Sequence, residues 1–185
     1  MKSTKIIFLL FTSILLTACA QMPPIDFTVQ DVGPIKNRKN AELKSITVGY
    51  ATAEQKQGDI DTGYAIPGIW KEALVDALNR SLAFKDDSDV KVNLSVRIVE
   101  FDMPSFGATM TTTTAAIYEI MDRETGNLLM TETITSEGVV PMDYAFVGAT
   151  RATESINRAA RNNIAEFINR LEQIDFSKPV FVEKQ

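Results

Sequence analysis

Apolar and polar residues along this chain recur with periods of two and of about 3.6, and the switches between the two periods mark six elements. Over Leu43 to Tyr50, Lys44, Ile46, Val48 and Tyr50 alternate with Leu43, Ser45, Thr47 and Gly49, which predicts a first strand with one apolar face. Pro67 then opens a stretch in which Trp70, Ala73, Leu74, Ala77, Leu78 and Leu82 return at helical spacing. The proline sits in the first turn, where a missing N–H costs nothing, and a helix of about 15 residues follows. Val90, Val92, Leu94, Val96 and Ile98 face one way and Lys91, Asn93, Ser95 and Arg97 the other, giving the clearest strand of the chain. A β-branched run from Ala108 to Asp122, rich in threonine, predicts a third strand. The turn Glu124-Thr125-Gly126-Asn127 leads into a fourth over Leu128 to Glu137. Ala152, Ile156, Ala159, Ala160, Ile164, Phe167, Ile168 and Leu171 then share one face of a second helix.

The order β-α-β-β-β-α predicts an α+β fold: a single domain over residues 43–175, with a mixed sheet and two helices packed on one face. A helix crossing between the first two strands makes them parallel, and the two hairpin connections after them reverse direction in turn. The loops 51–66, 102–107 and 139–149 are therefore expected at one end of the sheet. Residues 19–42 carry Pro23, Pro24, Gly33 and Pro34 with no sustained period and are read as a tether; the alternation of Ile25, Phe27 and Val29 leaves a short edge strand as the other reading. Residues 176–185 form a tail in which Val180 to Val182, after Pro179, reads as an edge strand. The threonine strand and this tail are the expected free edges of the sheet.

The start of the chain changes the picture. Lys2 and Lys5 precede an apolar stretch from Ile6 to Leu16 that is too short to span a bilayer, and small residues follow, so residues 1–18 are read as a secretory signal peptide. Leu16-Thr17-Ala18-Cys19 resembles the lipobox of bacterial lipoproteins. That resemblance implies acylation of Cys19, palmitate included, and cleavage just before it. Ala20, where an aspartate commonly retains such proteins at the inner membrane, implies the periplasmic face of the outer membrane. Two or more acyl chains give stable attachment. Cys19 is the single cysteine, so no disulfide is expected. Cleavage removes two lysines and no acid, leaving 17 basic against 24 acidic residues and a net charge of −7. That balance speaks against nucleic acid as a partner.

Candidate chemistry is sparse. The chain contains no histidine, which excludes Ser-His and Cys-His nucleophiles and imidazole metal sites. No Gly-x-Ser-x-Gly, Ser-x-x-Lys or phosphate-binding glycine loop occurs, so no enzyme, cofactor or metal is expected. The loops are more informative. Asp102, Met103 and Phe106 in one, and Met142, Asp143, Tyr144 and Phe146 in its expected neighbour, are unusually apolar for hairpin connections. With Tyr64 and Arg151 they form a candidate binding rim. The other reading is that these loops fold inward and cap the core. Asp102 and Asp143 are also the one carboxylate pair near the rim, although solvated loop charges account for them equally. Arg151, Arg158 and Arg161 line the second helix, either as a basic stripe or as a solvated face with ion pairs.

With the lipobox in place, the order of elements is similar to that of small periplasmic lipoprotein domains: the amino-terminal domain of TolB, CsgG-type secretion lipoproteins, activators such as LpoB, and auxiliary lipoproteins of lipid-transport ABC systems. The resemblance is one of topology, carries no residue across, and implies a non-catalytic role. The expectation is a lipid-anchored outer-membrane lipoprotein, a binding or accessory component of an envelope complex, whose partner is an envelope protein or a second copy of the chain. The alternatives are a lipid or acyl-chain carrier in envelope lipid transport and, with least support, a transferase acting on envelope precursors.

Overall fold

The computed structural model describes residues 22–60, 65–176 and 178. Its elements are β1 (Glu42–Tyr50), α1 (Ile66–Ser81), β2 (Lys91–Asp102), β3 (Met110–Asp122), β4 (Leu128–Val140) and α2 (Gly148–Gln173). The sheet runs in the order β1-β2-β3-β4, with β1 parallel to β2 across the α1 crossover and the other two pairs antiparallel. Both helices pack on one face, so the α+β architecture is as expected. One expected edge is corrected: the threonine strand β3 is paired on both sides, and among the described residues the sheet ends at β1 and β4. The 180–182 strand, the 1–18 signal segment and Cys19 lie outside the described residues.

Each strand turns alternate residues to the helices. Val92, Leu94, Val96 and Ile98 of β2 and Ala116, Tyr118 and Ile120 of β3 are buried beneath them. Thr113, Ile117 and Glu119 of β3 stand beside Glu137, Thr133 and Thr131 of β4 on the opposite, solvated face. Arg97 of β2 donates two hydrogen bonds to the Glu119 carboxylate on that face, at 2.8 and 2.9 Å. The register shifts between Ile98 and Glu100, a bulge where the Val99 carbonyl accepts the backbone N–H groups of Gln57 and Gly58. The loop after β1 therefore lies along β2 beyond the end of β1.

Aromatic groups and one polar chain hold the layers together. The Trp70 ring on α1 meets Phe27 and Phe101 edge to face, and Tyr118 on β3 stacks on Phe167 of α2 with centroids 4.2 Å apart. Trp70 Nε1 donates to the Tyr118 hydroxyl (3.3 Å), which donates to Asn163 Oδ1 of α2 (2.9 Å). Asn163 Nδ2 in turn donates to the Ile134 carbonyl of β4 (2.8 Å). Burial holds the Tyr118 phenol far above the usual tyrosine range, so it stays protonated and serves as a neutral donor.

Where α2 crosses β4 the two backbones nearly touch. A Cβ on Gly138 would lie 2.0 Å from the Ser155 carbonyl oxygen and 2.4 Å from the Ala159 nitrogen, both backbone atoms. No side chain fits there, and small residues on the helix face complete the crossing. Nearby, the Thr112 and Ser155 hydroxyls share a buried 2.8 Å hydrogen bond.

The tether reading of residues 19–42 is corrected from Ile25 onward. Phe27, Val29, Ile35 and Ala41 are buried in the core, so the alternation at Ile25, Phe27 and Val29 is a burial pattern. The segment makes no strand because it pairs with helices and loops and not with a sheet edge. The Asn157 side chain of α2 accepts from Asp26 N–H (2.9 Å) and donates to the Pro24 carbonyl (3.1 Å). Arg80 of α1 donates to the carbonyls of Val29 and Gln30. Ile35 N–H bonds to the Ser81 carbonyl (2.9 Å) and Lys39 N–H to that of Ala83 (2.7 Å). The Lys39 ammonium ends the run on the Glu172 and Ile174 carbonyls at 3.1 and 2.6 Å. Residues 24–41 are thus a strap bridging both helices, and prolines that look like linker signals keep it extended.

Two substitutions test this packing. Phe27→Ala should cost about 3–5 kcal/mol in urea unfolding, the loss for a core aromatic, whereas a residue in a free tether would cost nothing. Gly138→Ala, one methyl group, should cost about 1–3 kcal/mol or more, because helix and strand must separate to admit it.

Candidate functional site

The strand directions place three connections at one end of the sheet. β1 and β2 are parallel and finish there at Tyr50 and Asp102, and the pairing of Met110 with Val140 puts the start of β3 and the end of β4 beside them. α1 and α2 also begin at this end, since each follows one of these connections. The loops 103–109 and 141–147 face each other across it.

Arg151 joins them. From the first turn of α2 its Nη1 donates to the Ala145 carbonyl (2.6 Å) and the Phe146 carbonyl (3.1 Å), while Nη2 donates to the Gly107 carbonyl (3.2 Å). The side chain is buried, and its charge strengthens each bond. An arginine in the first turn of a helix opposes the helix dipole, and that mismatch is the sequence signal for a special role. Arg151 is therefore a clamp between loops and not a group presented to a partner.

The loops so fixed turn apolar side chains outward. Phe146 is fully exposed, Phe106 is 90% exposed and Met142 65% exposed. Tyr144 is half-exposed, with the Arg158 guanidinium 5.1 Å from its ring centroid. Val139 and Val147, which pattern reading missed because single valines at element ends carry no signal, extend the apolar surface. Met103 alone behaves as an inward cap, half-buried against the core. Asp102 and Asp143 are exposed to solvent. Tyr64 lies outside the described residues. The inward-folding alternative thus holds for Met103 but not for Phe106, Met142 or Phe146.

Arg158 and Arg161 of α2 form ion pairs, and with Arg151 committed to carbonyls the helix carries no basic stripe. Arg158 Nε donates to Glu154 (2.9 Å), and Arg161 lies 3.7 Å from Asp26 on the strap. The Asp26 carboxylate sits below its usual pKa, chiefly through its hydrogen bonds to Thr28. Among the described residues, no group of three or more acidic or cysteine side chains could hold a metal ion, and no helix is long and apolar enough to cross a membrane.

Two open grooves lie toward the opposite end. One, of about 710 Å³, runs between the free edge of β1 and α1, past Leu43, Ile46, Val75, Leu82 and Phe84. The other, of about 550 Å³, is bordered by Lys39 and Phe176. Between sheet and helices the space is filled by Trp70, Tyr118, Phe101, Phe167, Leu94 and Ile164.

No protein-family model matches the chain, and no curated protein is similar to it in sequence. Several solved structures are similar to it. A Xanthomonas campestris protein of the family DUF330 superposes with a TM-score of 0.56 at 10% identity, covering 83% of this chain and 94% of its own. A minor lipoprotein from Acinetobacter baumannii gives 0.41 at 14% identity, over 74% and 93% of the two chains. PelC from Paraburkholderia phytofirmans, a dodecamer, gives 0.46 at 15%, over 76% and 93%. At 10% identity the likeness to the Xanthomonas protein is one of fold alone.

Arg151→Met keeps the bulk and removes the donors to three carbonyls. Hydrogen exchange at residues 105–108 and 145–148 should then rise more than about tenfold, in line with charge-assisted bonds worth about 1.5–3 kcal/mol, while β2 and the later turns of α2 keep their protection.

Proposed function

We propose that this protein is a lipid-anchored accessory component of the bacterial envelope, held at the periplasmic face of the outer membrane through Cys19 and working by binding. The observation that carries this reading is the apolar rim: Phe106, Met142 and Phe146 are held outward on loops clamped by Arg151. A soluble domain gains nothing from fully exposed phenylalanines on rigid loops unless another surface covers them. The outer strands β1 and β4, unpaired on one side among the described residues, are the surfaces through which an envelope protein or further copies of the chain would pair.

The acyl-carrier alternative needs a cleft between sheet and helices, and aromatic and aliphatic side chains occupy that space. A transferase would need groups poised for chemistry, whereas Asp102 and Asp143 face solvent.

The test is made in intact cells. Photo-crosslinking residues at positions 106, 142 and 146 should give adducts with envelope components, and one at Thr133 on the solvated sheet face should give markedly fewer. Cys19→Ser should abolish palmitate incorporation, shift the protein out of the outer-membrane fraction and remove the rim adducts. Palmitate incorporation unchanged by Cys19→Ser would refute the anchor, and rim adducts no more frequent than those at Thr133 would refute the rim.

A further inference from the structure

The strap limits how far the anchor at Cys19 can lie from the rim. Asn157 holds Pro24 and Asp26, and it lies nine residues into α2. At 1.5 Å per residue that is about 14 Å from the helix start, which stands at the rim. From Asp26 the strap descends α1, its Phe27 meeting Trp70 in the second turn and its Val29 and Ile35 meeting Arg80 and Ser81 at the far end. Followed backward from Ile35, the strap therefore runs toward the rim end as far as Asp26 and Pro24, both held at the level of Asn157. Cys19 precedes Pro24 by five residues, a reach of about 17 Å. That reach is little more than the roughly 14 Å from Asn157 to the helix start, so an anchor at Cys19 cannot hold the level of Phe106 and Phe146 far from the bilayer, and residues 24–41, being a strap, supply no further tether.

We infer that the rim is a membrane-contact edge: Phe106, Met142 and Phe146 enter the headgroup region and upper acyl layer of the bilayer that holds the protein's own anchor. This rests on the reading of Cys19 as the acylated residue. The short span leaves little room for a protein between rim and membrane, and the exposed groups are of the kind that partition into the interface. Asp102 and Asp143 on the same loops, and a mature charge of −7, make the contact apolar and not an attraction to anionic lipid. Because the acyl chains already secure attachment, the rim sets orientation: the sheet stands upright, with the Glu124 hairpin pointing away from the membrane.

The experiment uses the full lipidated protein in phosphatidylcholine–phosphatidylethanolamine vesicles, with and without brominated acyl chains. Tryptophan is introduced singly by Phe106→Trp, Phe146→Trp and, at the opposite end, Glu124→Trp; buried Trp70 supplies a common background. Emission from positions 106 and 146 should shift to the blue and be quenched by the brominated lipid, with little change between low and high salt. Emission from position 124 should do neither. Acyl mass and vesicle flotation, read on the same samples, separate the two readings: a chain without acyl groups overturns the anchor and the orientation derived from it. An anchored chain whose 106 and 146 signals are unquenched, or whose 124 signal is quenched, overturns the membrane contact alone. Crosslinks from position 106 in intact envelopes that carry protein and no lipid overturn it too.

Discussion

The layers of this domain depend on one buried hydroxyl. The Tyr118 phenol accepts from Trp70 of α1 and donates to Asn163 of α2, whose amide continues to the Ile134 carbonyl of β4. Three polar groups that would each be costly to bury alone are satisfied by one another, so the two helices and two strands are fixed in a single relative placement. Around this chain the aromatic rings supply the apolar area: Phe167 stacks on the same tyrosine, and Phe27 and Phe101 flank the same tryptophan. The polar chain sets the relative placement of the layers, and the rings bury apolar area around it.

Two close fits extend from that centre. Gly138 brings α2 against β4 at backbone contact, which sets the start of the helix, and with it Arg151, over the end of the sheet where the loops emerge. On the other flank the strap closes the space over the two helices with Phe27 and Val29 and ties itself to both. The exposed rim is thus a consequence of packing at some distance from it. The helix must sit this low for one guanidinium to reach Gly107, Ala145 and Phe146 together.

Much of this is legible in the sequence. Strict alternation over Val90 to Ile98 and the apolar stripe from Ala152 to Leu171 mark β2 and α2 directly, and the crossover rule then places the three loops at one end. The strap is hard to read because its prolines match a linker and its one alternation, Ile25, Phe27 and Val29, is too short to tell burial against helices from an edge strand. The threonine strand was misplaced because its hydroxyls look solvated. Thr112 in fact pairs with Ser155, and Thr114 donates to the Glu100 carbonyl, so a central strand carries them without unpaired groups. At the rim the residue types were readable but their direction was not, since a loop phenylalanine caps a core as readily as it leaves one. Only the carbonyl contacts of Arg151, which no spacing encodes, decide the matter.

The strap also governs how the domain bears load. A pull on the chain at Pro24 acts along the strap's own length, so the Asn157 amide, the Arg80 guanidinium and the Ile35 N–H are strained together and not one after another. Bonds loaded in shear share the force. Phe27 moves with the strap and would leave its place against Trp70, whereas the sheet lies off that line, so the strap gives way over the helices before the strands part.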